Sequence, residues 1–268
     1  MDLMYSISGF VIGMLVGITG VGGGSLMTPL LVFMFGFQPA VAVGTDLLYA
    51  AITKTGGVFV HHGTHQSVDW RIVGWLALGS LPMAIATLMV IRYYMSIGTE
   101  ITGVISYTLG IALVLTSTAL LVRAVLLRNA LAVVDDKTLD YRTAARFSAP
   151  WDLPATVLTG AVLGILVTLS SVGAGALGTV ALLFLYPRLS TLKIVGTDLA
   201  HAIPLTAIAG IGHWALGNVN FVLLGSLLLG SLPGIWVGSH LSAKIPEQFL
   251  RPFLALILML IGLKFVLQ

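Results

Sequence analysis

The 268-residue chain contains no cysteine, and only 9% of its residues are charged. The first absence excludes structural disulfides, thiolate metal sites and cysteine nucleophiles. The second is more restrictive. A water-soluble domain carries about 25% charged residues, so a chain this poor in charge cannot cover a surface that faces water. With 57% hydrophobic residues and a mean hydropathy of +1.04, the chain reads as a polytopic membrane protein. It is expected to be all-α, because helices satisfy their own backbone groups in lipid.

Other absences narrow the function. The start has no basic region and no small-residue cleavage site, only the acidic Asp2, so it is expected to belong to the mature protein rather than to a cleaved signal. No nucleophile elbow, phosphate loop or pair of catalytic carboxylates stands out, and an enzyme is not expected. The net charge of +3 does not point to nucleic acid, because basic residues in such chains mark the cytoplasmic face of the membrane.

Crossing the hydrocarbon core takes about 20 apolar residues. Apolar stretches occupy residues 4–36, 40–62, 70–92 and 101–126, then 154–186, 190–215, 219–242 and 249–267. Between the sets lies a polar linker, 127–152, so the chain divides into an N-terminal membrane repeat (1–126), the linker, and a C-terminal membrane repeat (153–268). The two sets are copies. Val43-Gly44-Thr45-Asp46-Leu47 matches Val195-Gly196-Thr197-Asp198-Leu199, and Gly79-Ser80-Leu81-Pro82 matches Gly230-Ser231-Leu232-Pro233. Val68-Asp69-Trp70 loosely matches Val219-Asn220-Phe221, and all the pairs lie 151 or 152 residues apart in the same order.

Each half opens on an apolar segment too long for one ordinary span. If these segments each cross once, the halves have four spans and run parallel. If each is a re-entrant hairpin turning at its glycine cluster, each half has three full helices and the repeats are inverted. Positive-inside counting separates the two. The inverted arrangement gathers Arg71, Arg123, Arg128, Lys137, Arg142, Arg146, Arg188, Lys193, Lys244 and Arg251 on one side, leaving Arg92 and Lys264 on the other. The parallel arrangement moves Lys264 to the first side and Arg188, Lys193, Lys244 and Arg251 to the second, which leaves hardly any bias. The expectation is therefore inverted repeats, a cytoplasmic central loop and both termini outside.

The glycine clusters are Gly22-Gly23-Gly24-Ser25 in the first half and Gly173-Ala174-Gly175-Ala176 in the second. Their spacing fits no helix face. A broken backbone at membrane depth is tolerated only where it is buried in protein or lines a cavity. A half-helix beginning there presents free amides and about half a positive charge, which suits a small anion at the junction of two repeats. Gly9, Gly13 and Gly17, and likewise Gly230, Gly234 and Gly238, are instead spaced at four, as close helix packing requires.

Charged groups inside a span cost about 2.5–3.5 kcal/mol each on insertion scales and are commonly functional. Asp46 and Asp198 occupy equivalent places and are candidate proton or cation carriers. Lys54 and His201 are candidates to compensate charge or meet the anion, and Thr45 and Thr197, which can hydrogen-bond beside the aspartates, are candidate substrate-binding residues with them. The plainer reading puts each aspartate near the membrane surface, capping a helix. His213 is expected at the interface, and His61, His62 and His65 in a solvated loop without a counterpart in the other half, so no metal site and no cofactor is assigned.

Gly13-x3-Gly17-x2-Gly20-x-Gly22-Gly23-Gly24-x4-Pro29, Ala40-Val-Ala-Val-Gly44-Thr45 and Gly79-Ser80-Leu81-Pro82, with their degenerate second copies, resemble the sulfite exporter TauE/SafE family of membrane permeases over nearly the whole chain. The resemblance implies transport of sulfite, sulfonates or related organosulfur anions across the bacterial inner membrane, coupled to the proton gradient. It also leaves room for a homo-oligomer. The chain departs from the usual pattern by carrying aspartate after Gly-Thr in both copies, and by Ala174 and Val180 in the second. Two competing readings are a non-transporting membrane partner of a sulfur-metabolic complex and a divalent metal-ion permease.

Overall fold

A computed structural model describes residues 3–19, 24–65, 68–133, 152–242 and 247–267. These form helices α1 (Leu3–Thr19), α2 (Gly24–Phe33), α3 (Pro39–His65), α4 (Trp70–Ser96) and α5 (Thr102–Val133). The second half repeats the series as α6 (Asp152–Ser170), α7 (Ala176–Leu185), α8 (Thr191–Ala215), α9 (Phe221–Ser242) and α10 (Glu247–Leu267). Among the described residues five stretches are long and apolar enough to cross a membrane: those of α4, α5, α6, α8 and α9. Two differences from expectation concern boundaries. Helix α5 runs on to Val133, into the stretch expected to be polar linker. Helix α3 continues to His65, so His61, His62 and His65 lie on a helix rather than in a loop; their side chains fall outside the described residues.

Each long opening segment is two helices rather than one. The 19 residues of α6 would reach about 28 Å at the α-helical rise, nearly a full crossing. The chain nevertheless comes back. Tyr186, immediately after α7, shares a hydrogen bond with Thr156 in the first turns of α6 at 2.5 Å between hydroxyl oxygens. The first half closes with apolar contacts instead. The ring of Tyr5 in α1 lies 4.9 Å from that of Phe35 and 5.8 Å from that of Phe37, both just beyond α2. Both opening segments are therefore hairpins whose two ends meet.

Packing between the halves is swapped and follows the repeat. Helix α1 lies along α9, and its copy α6 lies along α4, the copy of α9. In lipid, helices gain little from burying apolar surface and associate where small residues let backbones approach. The glycine ridges provide this. A methyl group added at Gly13 would come within 2.7 Å of Ser231 Cα, and one at Gly164 within 2.9 Å of Ser80 Cα. Gly9 and Gly17 approach Leu227 and Ile235, while Gly160 approaches Leu76, so partner numbers rise together and each pair runs parallel. Gly230, Gly234 and Gly238 return the approach against Ser6, Phe10 and Met14.

The middle of the molecule is α3 against α8, the two copies of the Gly-Thr-Asp helix. Gly44 meets Asn218 and the His213 side chain, whereas Gly210 meets Leu48. Numbers rise on one helix as they fall on the other, so the copies pass antiparallel. Helices α5 and α10 do the same, with Gly110 beside Gly262 and Phe265 and Ser117 beside Met259. Arg71, Arg188 and Lys193 fall at one end of the molecule, because their neighbours Ile72, Tyr186 and Ile194 share one apolar cluster.

Candidate functional site

Buried polar side chains gather on α3 and α8 where the hairpin tips reach them. Thr28, in the returning limb of the first hairpin, donates to Asp46 Oδ2 at 2.5 Å. Thr179, its copy in α7, donates to Asp198 Oδ2 at 2.8 Å. Both aspartates and both threonines are almost wholly inaccessible to solvent. The surface-cap reading of the aspartates is thereby overturned. Asp46 lies inside α3 and Asp198 inside α8, and each ties its helix to the hairpin of its own repeat. Gly178 makes room for the second anchor, since a methyl group there would stand 2.9 Å from Asp198 Cγ.

The tip of the second hairpin is an unwound stretch, Ser171 to Gly175, in which positive φ recurs. Gly173 has φ 112° and Gly175 φ 135°, a region that side chains disfavour, and Ser171 has φ 57°. All of 171–176 is buried. Local bonds hold the turn: the Ser170 hydroxyl accepts from the Val172 amide at 3.1 Å, and the Thr179 hydroxyl reaches the Gly175 carbonyl. The backbone break expected at Gly173, Ala174, Gly175 and Ala176 is therefore present, immediately before and at the start of α7. Of the first cluster, Gly22 and Gly23 lie outside the described residues. Gly24 opens α2 with Ser25 after it, and the Ser25 side chain is likewise outside.

Lys54 joins the halves. Its Nζ donates to the Ala174 carbonyl at 2.8 Å, across 120 residues of chain. The acidic groups acting on that ammonium are Asp198 and Asp46, and it is buried. Sequence spacing placed Lys54 only loosely on the side of Asp46; the fold bonds it to the opposite hairpin, where the charge of Asp198 acts on it as well as that of Asp46. His201, one turn beyond Asp198, holds Ser80 of α4 at 2.8 Å through Nε2, and Lys54 is the charged group that acts on it.

Thr45 and Thr197 have a different task. The Thr45 hydroxyl accepts from the Asn220 amide at 3.1 Å, and that of Thr197 from the Asp69 amide at 2.9 Å. Asp69 and Asn220 cap α4 and α9, their carboxylate and amide oxygens accepting from Arg71 and Leu223 amides. Each threonine therefore fixes a helix start in the opposite repeat. His213, in the last turn of α8, is fully buried within the protein, and its Nε2 lies 2.9 Å from the Thr168 carbonyl near the end of α6. A helix's last carbonyls lack partners of their own, so this imidazole supplies one where the hairpin turns.

The comparisons with known proteins agree with the duplicated fold. The family description "Sulfite exporter TauE/SafE" matches residues 5–265. The chain belongs to the TauE/SafE family. This TauE/SafE chain is 35% identical over 266 residues, 99% of its own length and 100% of the relative's, to "Probable membrane transporter protein YjnA" of Bacillus subtilis. It is 26% identical to "Probable membrane transporter protein YdhB" of the same organism over 90% of this chain and 91% of that one. It is 27% identical to "Probable membrane transporter protein MJ0441" of Methanocaldococcus jannaschii over 96% and 92% respectively. No solved structure matches. The chain is a multi-pass membrane transporter of this family.

Sequence reasoning missed Thr28, Thr179, Ser80 and Tyr49 as parts of the transporter's centre. Three of the four carry a signal in the repeat. Thr28 and Thr179 are 151 residues apart, and Ser80 belongs to the repeated Gly-Ser-Leu-Pro element. Tyr49 lies 152 residues before His201 and sits beside Ser231, the copy of Ser80, so a phenol and an imidazole take matching places. His213 lies 152 residues after His61, which gives the histidine cluster the counterpart it was expected to lack.

Proposed function

We propose that this transporter carries a small sulfur-containing anion, such as sulfite or an organosulfonate, across the bacterial inner membrane in exchange with, or together with, protons. The observation that carries the reading is the junction of the repeats. A hairpin tip from one half is bonded to a lysine of the other, between two buried aspartates each held by a threonine of the returning limb. The beginning of α7 at Ala176 adds helix-end amides to the same place, and such ends favour anions. The substrate anion lies against Gly173–Ala176 and its first-half counterpart Gly22–Ser25, with Lys54 and His201 as the cationic or proton-bearing groups facing it.

Proton coupling draws support from hydrogen-bond accounting. The Thr179 hydroxyl has one proton, yet it meets two acceptors, the Gly175 carbonyl and Asp198 Oδ2. Both bonds form fully when the carboxyl itself carries a proton and donates it to the threonine oxygen. Loading and releasing that proton would tighten and loosen the tie between hairpin and α8, which is how a coupling group acts on a moving element.

The antiparallel pass of α3 against α8, and of α5 against α10, supports inverted repeats, in which equivalent helices cross the bilayer in opposite directions. The shared end of Arg71, Arg188 and Lys193 fits a cytoplasmic central loop. The test is flux into liposomes loaded with sulfite, sulfate, thiosulfate, taurine or sulfoacetate under an imposed pH gradient. Anion movement that collapses with the gradient and is abolished in Asp46→Asn and Asp198→Asn supports the reading. Wild-type flux in both variants removes the coupling role, and no flux of any anion removes the substrate class.

A further inference from the structure

The two repeats agree at both aspartates of the central cluster and at the threonines that hold them, and differ at the position of its lysine. Lys54 stands where the second repeat has Thr206, 152 residues later. Thr206 bonds back to the Ala202 carbonyl of its own helix at 2.8 Å and is fully buried. The fold therefore tolerates a short neutral side chain at this place on a central helix, and packing alone does not call for a lysine.

The surroundings of the Lys54 ammonium have the chemistry of an alkali-cation site. Its bonded partner is a backbone carbonyl, that of Ala174, in an unwound tip where the flanking φ angles are positive. Carbonyls of that kind are not used by a helix ladder and commonly coordinate small cations in transporters built from inverted repeats. The two aspartates add negative charge from either repeat. Asp46 Oδ1 and the Ser171 hydroxyl are buried without hydrogen-bond partners, and Ser171 lies beside Asp46.

We propose that Lys54 is a tethered cation: between Asp46, Asp198 and the Ala174 carbonyl it fills the position that a free monovalent alkali ion would occupy in a chain with threonine there. The inference rests on the reading of the two aspartates as coupling groups and goes beyond it by fixing which cations the site accepts. With the lysine in place the cluster accommodates protons and excludes alkali ions. Without it, two buried carboxylates keep no fixed counter-charge, and a partly dehydrated sodium or potassium ion restores the balance.

Binding can be tested without any knowledge of the transported anion. Purified wild-type protein and Lys54→Thr are melted in sodium, lithium or potassium chloride against N-methyl-D-glucamine chloride at equal ionic strength. A ligand that binds only the native state raises its stability with concentration. The wild type should melt at one temperature in all four salts. Lys54→Thr should melt well below it in N-methyl-D-glucamine and recover by several degrees, saturably, in at least one alkali salt. Adding Asp198→Asn to Lys54→Thr should raise stability in N-methyl-D-glucamine and remove the response to alkali salt.

A folded Lys54→Thr protein whose melting ignores the alkali ions overturns the proposal. So does a Lys54→Thr protein that fails to fold and is not recovered by Asp198→Asn or Asp46→Asn, because the lysine's task would then not be counter-charge. A wild type stabilised saturably by sodium also overturns it. None of these results bears on whether the wild type moves an anion, which the liposome assay reads separately.

Discussion

Replacing Thr179 with valine removes one hydroxyl and almost no volume, and it strikes the tie between the second hairpin and α8. The Asp198 carboxyl loses its threonine partner. Both residues are sealed from water: Thr179 is 1% exposed and Asp198 also 1%. Hydrogen bonds between side chains in membrane proteins average about 0.6 kcal/mol and reach about 1.7. Leaving a buried polar group without a partner costs about 1–3 kcal/mol. Gly175 is the N-cap of α7 and its carbonyl keeps the first bond of that helix, so the loss falls on the buried Asp198 carboxyl; unpaired buried groups that can carry charge cost most, so the upper part of these ranges applies, about 1.5–3 kcal/mol. At about 2–4 °C per kcal/mol for a chain of this size, thermal unfolding in detergent should fall by roughly 3–12 °C. Leucine has nearly the shape of aspartate, and Asp198→Leu abolishes the polar demand. When both partners of a buried bond become apolar the change can be nearly neutral, so Thr179→Val should cost at least about 1 kcal/mol less in the Asp198→Leu background. Strict additivity, or a single Thr179→Val that melts with the wild type, would refute the argument that this bond anchors the hairpin.

Further outcomes follow from the same geometry. His213→Ala should cost about 1–3 kcal/mol by stranding the Thr168 carbonyl, and His213→Gln, which keeps a donor, should restore part of the melting temperature. Gly13→Ile and Gly164→Ile press a branched side chain into the backbones at Ser231 and Ser80 and should lose more than about 1–3 kcal/mol, the usual cost of overpacking, read as loss of folded protein after extraction. Gly74→Ala, where an added methyl meets nothing within 4 Å, should be stabilising by about 0.5–1 kcal/mol from helix propensity. A reporter fused after Gln268 should register outside the cytoplasm, and a cytoplasmic signal there would remove the inverted topology.

The scaffold was far more legible than the centre. Duplication could be read because Gly44, Thr45, Asp46 and Gly79-Ser80-Leu81-Pro82 recur at a constant offset. The glycine ridges could be read because spacing at four is a property of one helix. What the ridges touch could not be read, since α1 lies on α9 and α6 on α4, a swap between halves that no local pattern encodes. Lys54 shows the limit most clearly. Counting turns along α3 relates it to Asp46 alone, whereas its bonded partner, Ala174, is 120 residues away on the opposite hairpin. The threonines show the same limit: beside an aspartate in a span they read as ligands, and nothing local tells that Thr45 and Thr197 also hold helix starts of the other repeat.

Where the repeats agree and where they differ separates support from chemistry. The agreeing bonds are Thr28 to Asp46 and Thr179 to Asp198, and Thr45 to Asn220 and Thr197 to Asp69. Each joins one element to another, and each is needed in both halves for a pair of hairpins to be held against a pair of antiparallel helices. The differing positions are Lys54 against Thr206 and Tyr49 against His201. They place an ammonium and a phenol on one side of the pseudo-symmetric centre, and an imidazole bonded to Ser80 on the other. In the proton-coupled carrier proposed above, cargo and coupling ion are set by the groups the two repeats do not share, so substitutions at Lys54, Tyr49 and His201 should change selectivity, while those at the paired threonines should change stability first.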